Sequence, residues 1–227
     1  MKLFELTGIK NYKDMPGNLI MKMLDRIGFF KDTLGRGSFG YAFEISNGDV
    51  LKVWHRDEAY EKFIEYCIAN KSNPYLLKVK GKVQSFEIRH AANRKPIDMK
   101  FVRIEKVNPL KSLKPLGYDD KDSSKTLDEF FWQFQKLIYK RNFDLLEKAD
   151  TEMYETLYLK KQRGSPEFEK ILRDIAELMK TFQEMGLKTD VHSGNFGLRG
   201  NQLVLIDPVL TYQDEKTVPI DDVLQAF

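Results

Sequence analysis

The stretch "TDVHSGNFGLRGNQLVLIDPV" (Thr189 to Val209) decides how this chain is read. Leu203, Val204, Leu205 and Ile206 form a short apolar run, the pattern of a buried strand. Arg199, Gly200 and Asn201 supply a turn before it, so two strands fold back on one another. Asp207 leaves the buried run directly, and a carboxylate in such a place is costly to desolvate unless something pairs with it. Asn195 stands twelve residues upstream, and with Asp207 it makes an oxygen pair suited to magnesium, which takes few protein ligands and keeps waters and phosphates for the rest. A zinc site built on His192 is the weaker reading, because one histidine among hard oxygen donors is a poor zinc set. Asp190, five residues before Asn195, is then left to accept a proton from an alcohol. The plain alternative is a loop whose Asp and Asn side chains only cap turns.

Working upstream, "LGRGSFGYAF" (Leu34 to Phe43) places Gly35, Gly37 and Gly40 around Ser38 in a strand-turn-strand. Without Cβ atoms in the way, its amides can approach phosphate oxygens, although the same spacing also serves ordinary hairpins. Twelve residues after Gly40 comes Lys52 in "VLKVW", flanked by Val50, Leu51, Val53 and Trp54. Such a lysine either snorkels from a sheet edge or points into a cleft; its place one strand beyond a glycine turn favours the cleft. The helix-like "DEAYEKFIEYCIAN" then offers Glu61 and Glu65 on one face as acidic partners. Glu65 is preferred for its reach, with solvation of both as the alternative.

The rest of the chain sets the frame. At 227 residues it is one large domain or two small lobes, and 42% apolar with 31% charged residues is ordinary globular composition. The net charge of +3 with no concentrated basic stripe argues against nucleic acid. A single cysteine, Cys67, excludes an internal disulfide and a multi-cysteine zinc site, and fits a reducing compartment. No apolar run has the length of a membrane span, and "MKLFELTGIKNYKD" lacks a signal peptide's hydrophobic region, so no membrane partner and a cytoplasmic location are expected.

Residues 16 to 29 carry Leu19, Ile20, Met23, Leu24 and Ile27 at helical spacing. β-like runs fill the stretch from Phe30 to Val107. After Pro109 helices follow, one from a capping box of Thr126 and Glu129, another from Ser165 and Pro166 to a stop at Gly186. The acidic residues Asp119, Asp120, Asp122, Asp128, Glu129, Asp144, Glu147 and Glu152 read as mostly solvated faces. An α+β chain is expected: an N-terminal helical extension (1–29), a small sheet lobe with one helix (30–107) and a helical lobe with the two functional loops (108–227).

Taken in order, glycine loop, strand lysine, helix glutamate, Asp-x-x-x-x-Asn and a later aspartate, the chain resembles the protein kinase signature set. It looks most like the truncated serine/threonine kinases of lytic short-tailed phages, whose catalytic stretch is similar to "D-x-HSGN" followed by "DPV". The resemblance implies a bilobal kinase-like fold with an antiparallel sheet lobe, and ATP and Mg2+ as cofactors. By the same likeness, Leu34, Ala42 and Val50 roof the adenine, Ile104 is gatekeeper, and Glu105 and Val107 offer backbone groups to the base. Lys52 holds the α- and β-phosphates with Glu65 behind it, Asp190 is the base, and Asn195 and Asp207 bind the metal. Proteins, host proteins among them, would be the substrates; a small-alcohol phosphotransferase and a catalytically silent scaffold are the alternatives. The chain departs from the set in three places. Lys188-Thr189 replaces the usual His-Arg, His192 stands where protein-serine kinases carry a phosphate-binding lysine, and Pro208-Val209 replaces Phe-Gly. His192 is accordingly expected to meet the γ-phosphate as imidazolium, and activity is expected without loop phosphorylation. Thr211, Tyr212 and Thr217 are candidate self-modification sites.

Overall fold

The aromatic and β-branched runs of the first half pair as one antiparallel sheet in the computed structural model of the chain, which describes residues 25, 29–36, 40–88, 97–116, 124–139 and 166–210. Gly37, Ser38, Thr211, Tyr212, Thr217 and nearly all of the expected helix over 16–29 lie outside the described residues. The strands are β1 (Phe30–Arg36), β2 (Gly40–Ile45), β3 (Val50–Trp54), β4 (Gln84–Ile88) and β5 (Ile97–Ile104), in the order β1-β2-β3-β5-β4. With the helices below, this is the α+β class expected from the sequence.

One face of the sheet is an aromatic core. Tyr41 stacks on Phe43 at 5.7 Å, Phe30 meets Phe43 edge-on at 6.1 Å, and Phe86 meets Phe101 at 5.8 Å. Carboxylates tie strands that are distant in sequence. Glu44 on β2, although buried, bonds Lys31 of β1 at 2.6 Å and Lys106, beyond β5, at 2.6 Å. Asp49, also buried, meets Lys80 and lies 3.4 Å from Nε of Arg103.

The described residues divide into two compact units. One holds the sheet, up to Glu58 and from Lys78 to Lys106; the other holds Ala59–Leu77 and the residues from Val107 onward. In the second unit, α1 (Glu58–Ala69) buries Ala59, Tyr60, Phe63, Ile64 and Cys67, a stripe at helical spacing. Phe63 and Tyr66 of α1 meet Phe182 edge-on at 5.7 and 5.3 Å. Phe182 belongs to α3 (Pro166–Glu184), whose buried side chains also include Phe168, Leu172, Ile175, Leu178 and Met179. Proline opens this helix, where its missing N–H is no loss. Gly186 closes it at φ 77, its amide bonding Gln183 O at 2.9 Å while Leu187 N bonds Phe182 O at 2.9 Å. Between them α2 (Ser124–Tyr139) begins two residues before the expected cap, so Thr126 falls in its first turn. Phe130 of α2 packs on Phe168 at 5.7 Å.

The remaining strands are short: β6 (Asn108–Pro109), β7 (Lys188–Thr189), β8 (Phe196–Arg199), β9 (Gln202–Leu205) and β10 (Val209–Leu210). They form a three-stranded sheet, β6-β8-β9, and a two-stranded one, β10-β7.

Two measurements check these contacts. Phe182→Ala empties the junction of α1 and α3 and should cost about 3–5 kcal/mol in denaturant unfolding. The hydrogen bonds from Lys106 and Lys31 hold the Glu44 carboxyl below its ordinary value despite its burial. A carboxylate so depressed stabilises the fold above its unfolded pKa, and that stability is lost as pH falls through the folded one. Glu44→Gln should therefore lower the melting temperature at pH 7, and the difference from wild type should shrink progressively as pH falls below 4.5.

Candidate active site

Two backbone ladders build the loop that carries the candidate chemistry. In the first, Val209 pairs with Thr189 and Leu210 with Lys188, which sets the Asp190 amide on Pro208 O at 2.8 Å. In the second, Phe196 pairs with Leu205, and Ile206 N donates to Asn195 O at 2.8 Å. Asp190 is thereby fixed beside the residue after Asp207, and Asn195 beside the residue before it. The turn between β8 and β9 closes at Gly200 with φ 61. Gly197 is required by a close approach: a Cβ there would stand 2.6 Å from Val107 Cγ2 and 2.9 Å from Asn108 O.

Inside this frame, Asn195 Nδ2 donates to Asp190 O at 2.9 Å and to Asp190 Oδ2 at 3.0 Å. The amide nitrogen is thus spent on Asp190, and Oδ1 is the atom with which Asn195 can meet a cation. Asn195 is buried, while Asp190 and Asp207 are half-buried. Among the described residues, no group of three or more His, Cys, Asp and Glu side chains that could hold a metal ion is found. The two oxygen donors, Asn195 Oδ1 and the Asp207 carboxylate, fit a hard cation that completes its shell with water or phosphate oxygens.

His192 bridges the loop internally. Its Nε2 lies 3.4 Å from Asp190 Oδ2, and its Nδ1 accepts the Gly194 amide at 3.2 Å. An acceptor at Nδ1 places the proton of the neutral ring on Nε2. A Cβ on Gly194 would stand 3.0 Å from the ring, so glycine makes this fold-back possible. Two influences then oppose each other. The hydrogen bond to Asp190 raises the His192 pKa, reinforced by the charges of Asp190, Asp207 and Asp128, while burial lowers it and the Gly194 amide favours the neutral ring. The carboxylates prevail, because bonds to charged groups are roughly twice as strong as neutral ones. For Asp190 burial pushes upward, but His192, Asn195 and Lys188 together hold its carboxyl below the ordinary value.

α2 supports the same loop. Asp128 accepts a hydrogen bond from Ser193 Oγ, and one turn face along, Phe131 stacks on Phe196 at 4.3 Å. Asp128 is one of the eight acidic residues expected to be mostly solvated. A contact across 65 residues leaves no local signal, so only the fold reveals it.

In the sheet unit, register gathers the expected nucleotide residues. Ala42 pairs with Lys52 and Lys52 with Val102, and Glu44 pairs with Val50 and Val50 with Ile104. Opposed and alternate residues share a face, so Ala42, Val50, Lys52 and Ile104 lie on one side of the sheet. In the otherwise buried strands β2 and β3, Ala42 and Lys52 are the two residues left half-exposed, which opens that face at the lysine. Gly35 pairs with Ala42, and a Cβ there would touch nothing within 4 Å; at Gly40 it would lie 2.4 Å from Val53 O. Gly40 is therefore glycine for its own sheet, whereas Gly35 leaves open space. Leu34 is exposed, and Glu105, half-buried, donates its amide to Lys78 O at 3.0 Å. In the other unit Val107 is half-buried. On α1 Glu61 is half-buried and Glu65, the preferred partner for Lys52, is exposed.

No protein-family model matches the chain, and no curated protein matches it in sequence. Among solved structures, the ternary complex of streptomycin, ATP and APH(2'')-IIa is similar at 14% identity and a TM-score of 0.33, over 89% of this chain and 73% of that one. The ADP-bound aminoglycoside phosphotransferase APH(2'')-Ib is similar at 16% identity and a TM-score of 0.31, over 86% and 72%. No helix among the described residues is long and apolar enough to cross a membrane.

The loop geometry has a direct spectroscopic test. A His192–Asp190 ion pair exists only above the lowered pKa of Asp190 and below the raised pKa of His192, and protonation at Nδ1 must release the Gly194 amide. The Gly194 amide resonance should therefore titrate together with the His192 ring, with a midpoint above 6.5. In Asp190→Asn that midpoint should fall.

Proposed function

We propose that this protein is an ATP- and magnesium-dependent phosphotransferase that acts on an alcohol hydroxyl. The observation that carries the reading is the loop in which Asn195 donates its Nδ2 to the Asp190 carboxylate, so that Asn195 Oδ1 and the carboxylate of Asp207, two residues past β9, are the oxygen donors a cation would take. Asp190 is kept ionised by its neighbours and can take the proton of an acceptor hydroxyl. Lys52 supplies a cation for the nucleotide phosphates from the open face of the sheet, with Ala42, Val50 and Ile104 beside it as apolar surface for a base. Magnesium, when bound at Asn195 and Asp207, neutralises phosphate charge. The work of the chain is otherwise positioning.

The acceptor best supported by charge is a small cationic alcohol. Asp128, Asp190 and Asp207 all act electrostatically on His192, so the base Asp190 shares its loop with two further carboxylates. That field suits an amine-bearing acceptor better than a neutral side-chain hydroxyl of a protein. Because Asp190 bonds Pro208 O and Val209 pairs with Thr189, and proline fixes φ, Asp207 holds its place without a modification elsewhere.

Incubation with γ-labelled ATP and magnesium, with an amino-sugar panel in one arm and a protein lysate in the other, tests the reading. Label should pass to a small alcohol, should stop on chelation, and should fall about 10²–10⁴-fold in Asp190→Asn. Label on protein alone would move the acceptor to serine or threonine hydroxyls. Nucleotide binding without transfer to either would leave a silent scaffold and overturn the proposal.

A further inference from the structure

The hairpin β8–β9 carries the candidate metal ligands at one end, since Asn195 directly precedes β8 and Asp207 follows β9 by two residues. β8 covers one edge of β9. The other edge meets the segment that follows α1. There Leu205 N donates to Tyr75 O at 2.8 Å, and Leu76 bridges Leu205 in parallel. At the far end of the hairpin, the half-buried Arg199 sends its guanidinium across the same segment, bonding Pro74 O at 3.1 Å and Leu76 O at 2.8 Å. The segment is itself pinned: Tyr75 N bonds Asn73 Oδ1 at 2.9 Å, and Tyr75 OH donates to Asp174 of α3 at 2.7 Å. Burial and the Asp174 carboxylate both push the Tyr75 pKa upward, so its hydroxyl keeps its proton for that bond.

The hairpin therefore meets this segment at the ligand end through a backbone bond and at the turn end through Arg199, with Gln202 of β9 also hydrogen-bonded to Tyr75. We propose that Arg199 is a positioning residue for the metal site: its forked hydrogen bonds set the seat of hairpin β8–β9 on residues 73–77, and with it the spacing of Asn195 and Asp207. The proposal rests on the reading of those two residues as magnesium ligands. A planar guanidinium can reach two carbonyls two residues apart at once, whereas a lysine ammonium offers one compact charge. With Arg199 removed, the hairpin loses two carbonyl contacts at its turn end and keeps the Leu205 backbone pairing and the Gln202 hydrogen bond to Tyr75, so its seat loosens and the ligand end can shift. The loss falls on metal binding, because the Lys52 face is built from strands that Arg199 does not touch.

The experiment is a titration of the full chain with Mn2+, followed by electron paramagnetic resonance in the presence of a non-hydrolysable ATP analogue. Arg199→Ala should weaken Mn2+ on the order of tenfold, with Arg199→Lys between it and wild type, while metal-free nucleotide affinity stays unchanged. In the ligand-free protein, hydrogen exchange at the Leu205 and Ile206 amides should accelerate in both variants. Should Arg199→Ala fail to fold, the lysine variant decides by itself. Wild-type Mn2+ affinity in the variants, equal weakening of metal-free nucleotide, or unchanged exchange would each overturn this proposal alone. A wild-type protein that takes up no Mn2+ would overturn it together with the proposed function, even where exchange at Leu205 accelerates.

Discussion

The arrangement of this site depends on backbone hydrogen bonding that closes a loop from two sides. The β7–β10 pair delivers Asp190 to the residue after Asp207, and the β8–β9 pair delivers Asn195 to the residue before it. Neither pair is long: the first has two residue pairs and the second four. Two-stranded ribbons of this size are marginal by themselves, so their stability must come from what they pack against. Phe131 of α2, stacked on Phe196 at the start of β8, supplies one such contact.

Charge at the loop follows from the same closure. Asp190 is half-buried, which alone would favour its neutral form, yet two donors, Asn195 and His192, reach its carboxylate within the loop. A base that is both desolvated and ionised has lost some of its water while keeping its charge, the condition in which a carboxylate can receive a proton from a positioned alcohol. His192 is drawn into this by Asp190 and held back by Gly194. The ring expected to meet the γ-phosphate as imidazolium has its Nε2 3.4 Å from Asp190 Oδ2 and its Nδ1 accepting the Gly194 amide. Protonation has to break the Gly194 contact first.

Much of the architecture was legible in the sequence because it is written in local patterns. The β-like runs "YAFEIS" and "DVLKVW" appear as β2 and β3, the stripe from Phe168 to Phe182 as α3, and Gly186 as its stop. The start of α2 was misplaced by two residues, since Thr126 and Glu129 satisfy a capping pattern that also fits the first turn of a helix already begun. What local pattern could not disclose is pairing at long range. Nothing near Asp128 announces Ser193, nothing near Arg199 announces Pro74 and Leu76, and nothing near Glu44 announces Lys106. Each of these is a charge that reads as ordinary surface until the chain returns to it.

The glycines show how a single motif divides once the register is known. Gly35 and Gly40 belong to one spacing in the sequence, but they answer to different constraints. Gly40 sits opposite Trp54, and any side chain would collide with the backbone of β3, so the hairpin itself demands it. Gly35 lies opposite Ala42, in the row that continues to Lys52, and a Cβ there would meet nothing within 4 Å among the described residues. A strand residue that sterics do not require to be glycine lowers β propensity and gains nothing from packing. Among the described residues no contact requires glycine at position 35, in the row that holds the half-exposed Lys52.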